Sequence, residues 1–138
     1  MKVLFVILGM ILLPAAAQAQ QPKPSQQPRQ ATLQQQKMCA DQAKKAFKER
    51  SEELGPQFYS SHYDPTANIC YVLHTKKESG YYLVISVYDA FEGRSYGEFY
   101  QYHDEAPTCY VKPRKDKISC KTEDEFRSLV EKHFGVAD

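Results

Sequence analysis

Apolar and polar positions along the chain change their rhythm four times. Val3 to Leu13 is an apolar run broken only by Gly9, Gln20 to Gln30 contains no apolar side chain, and Cys39 to Leu54 is apolar at helical spacing. Beyond Ile69, short aromatic and aliphatic runs alternate with turn residues until helical spacing returns at Phe126. These rhythms predict elements. Thr32 with Gln35 forms a capping box, and Cys39, Ala43, Ala46, Phe47, Arg50 and Leu54 recur on one stripe before Gly55-Pro56 stops the run, predicting a helix of about 22 residues. Phe58 to Asp64 is aromatic without a clean period and reads as irregular, and Asp64-Pro65 with Asn68 reads as a turn.

Ile69 to Lys76 alternates as a strand should, with Glu78-Ser79-Gly80 as its turn. Tyr81 to Phe91 is densest in β-branched and aromatic residues and belongs in the centre of a sheet. Glu92-Gly93-Arg94 predicts a tight hairpin in which Gly93 takes a positive φ, returning the chain as a strand over Ser95 to His103. Thr108 to Lys112 and Ile118 to Lys121 flank the polar PRKDK stretch and form a second hairpin. Thr122 with Glu125 makes another capping box, and Phe126, Leu129, Val130 and Phe134 line one helical stripe ending at Gly135. The predicted fold is α+β: an N-terminal helix, a meandering antiparallel sheet of about five strands and a C-terminal helix, the helices packed on one face.

The first apolar run has its own meaning. Lys2, the run Val3 to Leu13 and the small-residue site Ala17-Gln18-Ala19 together read as a secretory signal peptide over residues 1–19. The run is shorter than the roughly 20 apolar residues that span a bilayer, and no second candidate follows, so no integral membrane segment is expected after cleavage. A periplasmic or secreted protein starting at Gln20 is the expectation, with no cysteine at the cleavage site to carry lipid. Residues 20–31, rich in glutamine and proline, are expected to be a disordered leader, and 32–138 a single domain of about 107 residues.

Charge removes one class of partner. The chain has 18 Lys plus Arg and 17 Asp plus Glu, and Lys2 lies in the signal peptide, so the mature protein balances 17 against 17. A nucleic-acid binder would show a basic excess, and none is present. There is no Rossmann or Walker glycine pattern either.

Four cysteines behind a signal peptide predict two disulfides, for which three pairings are formally possible. Cys109 and Cys120 are equidistant from the centre of the turn between Arg114 and Lys115, so a regular hairpin sets them opposite one another. Cys39 is then left for Cys70, stapling helix to sheet. A zinc site or a redox centre would call for C-x-x-C spacing, which is absent.

Ten tyrosines and no tryptophan mark the aromatic composition. Many tyrosines fall in the expected strands, among them Tyr71, Tyr81, Tyr82, Tyr88, Tyr96, Tyr100 and Tyr102, and alternation is expected to place Tyr96, Tyr100 and Tyr102 together on the face that the helices leave open, as either cross-strand packing or a recognition surface. His62, His74, His103 and His133 lack metal-ligand spacing. Ser61, His62 and Asp64 are too close in sequence to form a hydrolase relay, and no nucleophile elbow is present. No catalytic residue, metal ligand or cofactor is therefore assigned. Asp89, Glu92, Arg94 and Glu98 surround the central hairpin, where Arg94 is placed to pair with Asp89 or Glu92 and pin the register, the alternative being carbohydrate or peptide binding by the same carboxylates.

The run SHYDPTANICYVL, then VYDAFEGRSYGEFY, then a cysteine-bearing hairpin and a helix resemble small signal-peptide-bearing bacterial proteins of uncharacterised function, over about Cys39 to Phe134. The resemblance supplies no activity, and its matching positions His62, Tyr63, Cys70, Asp89, Glu92 and Tyr96 enter as candidates. The leading expectation is an exported, non-enzymatic binding module for an envelope protein or cell-wall component, using the tyrosine-rich face or the loop from His62 to Asn68. The alternatives are a small cation-dependent or hydrolytic envelope enzyme centred on His62, His103 and Asp104, and an inhibitor of an envelope hydrolase.

Overall fold

The computed structural model describes residues 30–51, 56–78 and 82–137. The expected signal peptide and nearly all of the leader lie outside the described residues, as do the end of the first expected helix and the turn after Glu78. In chain order the elements are α1 (Leu33–Arg50), β1 (Gln57–Asp64), β2 (Ile69–Glu78), β3 (Tyr82–Asp89), β4 (Ser95–Tyr102), β5 (Thr108–Val111), β6 (Ile118–Ser119) and α2 (Glu123–Phe134). The six strands form one antiparallel sheet in sequence order, so every connection is local. The α+β class and both helices match the sequence reading. The additional strand is β1, the stretch read as irregular.

That stretch hides its alternation because β1 is an edge strand with partial exposure on both sides. Phe58 is 65% exposed and Tyr59 is 37% exposed, so burial leaves no period in its composition. Tyr59 nonetheless stacks on Phe47 of α1 at 4.5 Å, which holds the strand to the helix.

A second correction concerns the helices, which pack on opposite faces. Cys39, Ala43 and Ala46 of α1 are buried with Cys70, Val72 and Tyr88. Phe126, Val130 and Phe134 of α2 are buried with Tyr71, Leu73, Ile85, Val87, Phe99 and Val111. Tyr71, Val72 and Leu73 are consecutive, and side chains alternate across a strand, so a continuous apolar run is the mark of a strand covered on both sides. The two helices are also offset. Helix α1 lies over the β1–β3 half of its face, whereas Phe126 of α2 meets Phe99 of β4 at 6.2 Å on the other side.

Local chemistry fixes the ends of both helices. Thr32 Oγ1 accepts from Gln35 N at 3.2 Å while Gln35 Oε1 accepts from Thr32 N at 2.9 Å, completing the expected capping box. At α2 only half of the box forms: Thr122 Oγ1 accepts from Glu125 N, but the Glu125 carboxylate takes the N–H of Lys121 at 2.7 Å. Gly135 ends α2 with φ +65°, donating its N–H to Glu131 O at 2.9 Å.

The disulfides pair as expected, Cys39 with Cys70 and Cys109 with Cys120, at Cα separations of 5.3 Å and 5.0 Å. The β5–β6 register sets Tyr110 opposite Ser119, and Cys120 N donates to Cys109 O at 3.3 Å, so the symmetric hairpin determines the second bridge. Its turn runs from Pro113 to Asp116, with Arg114 at φ +62°.

Candidate functional site

The strand register turns the tyrosine content into a surface. On the α1 side, Tyr82 pairs with Tyr102, Val84 with Tyr100, Ser86 with Glu98, and Glu98 in turn with Tyr110. Alternation aims all of these side chains to one face, in β4, β5 and the part of β3 away from the Tyr88 end that α1 buries. No described element covers them. Tyr100 is 39% exposed and Tyr102 is 40% exposed, while Tyr82 and Tyr110 are half-buried.

Three lysines edge this open face. Lys112 and Lys117 place their ammonium groups 5.1 Å and 4.7 Å from the centre of the Tyr110 ring, and Lys76 lies 5.4 Å from that of Tyr82. Glu98 stands half-buried in the middle of the same face. The result is a flat aromatic platform flanked by positive charge. Rigid phenols give wide contact at small entropic cost, and each hydroxyl adds a polar handle.

Tyr96 does not join Tyr100 and Tyr102. The β3–β4 register shifts between Val87 and Tyr88, pairing Val87 with Gly97 and Tyr88 with Ser95, so Tyr96 is the extra residue of a bulge. Its ring turns to the α2 side and packs 5.2 Å from Tyr71 and 5.7 Å from Phe134. Sequence reasoning also left Tyr82 and Tyr110 out of the site. Their alternation with Tyr102 and Glu98 becomes visible once the hairpin registers are known.

The remaining candidates take structural positions or separate from one another. The Tyr63 hydroxyl donates to Asn68 Oδ1 at 2.5 Å and accepts from Gln35 Nε2 at 3.1 Å, tying the β1–β2 loop to the start of α1. Asp64 Oδ1 accepts from Thr66 N and Ala67 N, and Asn68 has φ +57°, which shapes that loop. His62 is exposed on the α2 side; a Cβ at Gly135 would lie 3.1 Å from its Nε2. Its row, Tyr71 and Asp89, is seven residues from the Tyr82–Tyr102 row beside His103, about 23 Å along the strands. His62 and the His103-Asp104 pair therefore do not meet. Among the described residues no group of three or more His, Cys, Asp or Glu side chains is placed to hold a metal ion.

The central hairpin is held differently from the expected Arg94 ion pair. Asp89 is buried and its Oδ1 accepts from Phe91 N at 2.9 Å. The turn is closed by backbone bonds from Asp89 N to Arg94 O and from Gly93 N to Asp89 O, both 2.9 Å, with Gly93 at φ +67°. Arg50 Nη2 donates to Gly93 O at 3.3 Å while its guanidinium covers the Tyr88 ring at 4.1 Å. Glu92 is exposed on the turn, and among the described residues Arg94 makes no ion pair with it or with Asp89.

Burial perturbs one histidine under α1. His74 is 9% exposed, holds Gln57 Oε1 at 2.8 Å through Nε2 and meets the Phe47 ring edge-on at 5.2 Å. Desolvation, and then the charges of Arg50 and Lys76, hold its pKa below the ordinary histidine value. This is the chemistry of a neutral packing residue. Compared with family models, curated proteins and solved structures, the chain matches none.

Proposed function

We propose that this protein is an exported, non-enzymatic binding module whose open sheet face takes an acidic component of the cell envelope. The observation that carries the reading is the grouping of Tyr82, Tyr100, Tyr102 and Tyr110 on one uncovered face with Lys76, Lys112 and Lys117 beside the rings. Aromatic platforms provide contact area, and the lysines favour a partner bearing carboxylates or phosphates. Two disulfides and a leading apolar run with a small-residue cleavage site support export. No described helix is long and apolar enough to cross a membrane, in keeping with a protein that works at the surface of such a component.

The test is co-sedimentation of the purified mature protein with cell-wall material rich in acidic polymers. Binding is expected to fall as salt is raised and to be lost in the Tyr100→Ser/Tyr102→Ser double variant. Both side chains are exposed, so the variant retains its fold, which circular dichroism checks. Undiminished sedimentation of that folded variant would overturn the reading.

A further inference from the structure

A second site opens at the other side of the sheet. The β1–β2 loop, the start of β4, the β5–β6 turn and the C-terminal end of α2 enclose a cleft of about 710 Å³. That size lies in the range of small-molecule sites. Tyr71 and Tyr96 form its floor, with rings 5.2 Å apart at 78°. Tyr71 is 5% exposed and Tyr96 8% exposed, yet among the described residues neither hydroxyl has a hydrogen-bond partner, and neither is sealed from solvent. Two almost fully buried phenols thus keep their polar ends open to the cleft they line. Each phenol buries its ring and leaves a donor hydroxyl within reach of solvent, a polar handle for the acceptor oxygen of a ligand.

The rim supplies the sign of the charge. Arg94, Arg114 and Lys132 line the cleft, and among the described residues none of the three has an ion-pair partner or a side-chain hydrogen bond. The opposing charges are Asp64 and Asp116, and Asp64 already accepts two loop N–H groups. The negative end of the α2 dipole also faces this region, offset by Lys132 and His133 in its last turn. The Tyr71 hydroxyl is pushed up to about 12 by burial first and then by Tyr96, Asp64 and Asp89, so it stays a proton donor throughout the physiological range.

We infer that this cleft binds a small hydroxylated organic anion, its carboxylate or phosphate held by Arg94 and Arg114 and its oxygens accepting from the Tyr71 and Tyr96 hydroxyls. Guanidinium groups match both oxyanions in bidentate geometry, and neutral phenols donate to acceptor oxygens without adding charge. The site lies on the α2 side and does not depend on the open tyrosine face.

The experiment titrates the full mature protein, observed by ¹H–¹⁵N NMR, with D-glucuronate, glucose 6-phosphate and uncharged glucose. Saturable binding of at least one anion is expected, with shifts at Arg94, Tyr96, Arg114 and His133 and none from glucose. The two anions distinguish a carboxylate from a phosphate preference. Arg94→Gln, at an exposed position, and Tyr96→Phe, which keeps the ring and removes only the hydroxyl, are each expected to weaken binding about tenfold. Glucose binding as tightly as the anions, affinity unchanged in both variants, or no saturable binding of either anion at millimolar concentration would each overturn the inference.

Discussion

Tyr71 and Val72 are neighbours in β2, and each is buried against a different helix. The sheet is therefore a partition between two cores, and a cavity made in one has no common lining with the other. Phe126→Ala is expected to destabilise by about 3–5 kcal/mol and Val72→Ala by about 2 kcal/mol. In urea unfolding the double variant is expected to lose the sum of the two within about 0.5 kcal/mol. A larger discrepancy would show that strain passes through the sheet.

Gly97 is required by the close approach of β4 to β5. A Cβ there would lie 2.9 Å from Tyr110 O, 3.1 Å from Val87 Cγ1 and 3.2 Å from Val111 Cα. Two of these neighbours are backbone atoms of a paired strand, which no rotamer change relieves. Gly97→Ala is expected to cost about 1–3 kcal/mol, read as a lowered Tm in a thermal melt. An unchanged Tm would mean that the β4–β5 spacing yields easily.

His74 gives stability a pH dependence of definite sign. Its folded-state pKa is lowered by burial and then by Arg50 and Lys76, so the unfolded chain takes up the proton at higher pH than the folded one. The contribution of neutral His74 is full above the unfolded value, about pH 6.5, and is lost as pH falls from there towards the folded value. The Tm of the wild type is expected to drop between about pH 7 and about pH 5.5, and His74→Gln to flatten that slope. Equal slopes in the two proteins would assign the drop to other groups.

The two disulfides contribute unequally. Cys39–Cys70 closes a separation of 31 residues and Cys109–Cys120 one of 11. Loop-closure entropy assigns them about 4 and about 3 kcal/mol. Replacing each pair by serine and measuring denaturant unfolding is expected to show the greater loss at Cys39 and Cys70, which are also the more deeply buried pair. The reverse order would point to residual structure in the reduced chain.

What the sequence reveals here depends on how local the determining interaction is. The Thr32 cap, the Gly93 turn and the Cys109–Cys120 bridge are legible because each lies within one helix start or one hairpin. Strand β1 is not, since an edge strand with Phe58 and Tyr59 both exposed has no buried face to impose a period. Placement of the helices on two faces does have a signal, the unbroken apolar run from Ile69 to Leu73. The tyrosine surface is half legible. Strict alternation groups Tyr96 with Tyr100 and Tyr102, and one bulge residue in β4 sends Tyr96 to the opposite side.

The offset of the two helices also determines how stiff the open face is. Strands β4 and β5, which present Tyr100, Tyr102 and Tyr110, are backed on their reverse side by Phe99 and Val111 packed on Phe126 and Val130. A partner of the proposed kind would meet strands already held in place from behind, and little backbone ordering entropy would be lost on contact. Helix α2 serves as a keel, and the platform above it is preorganised before anything arrives.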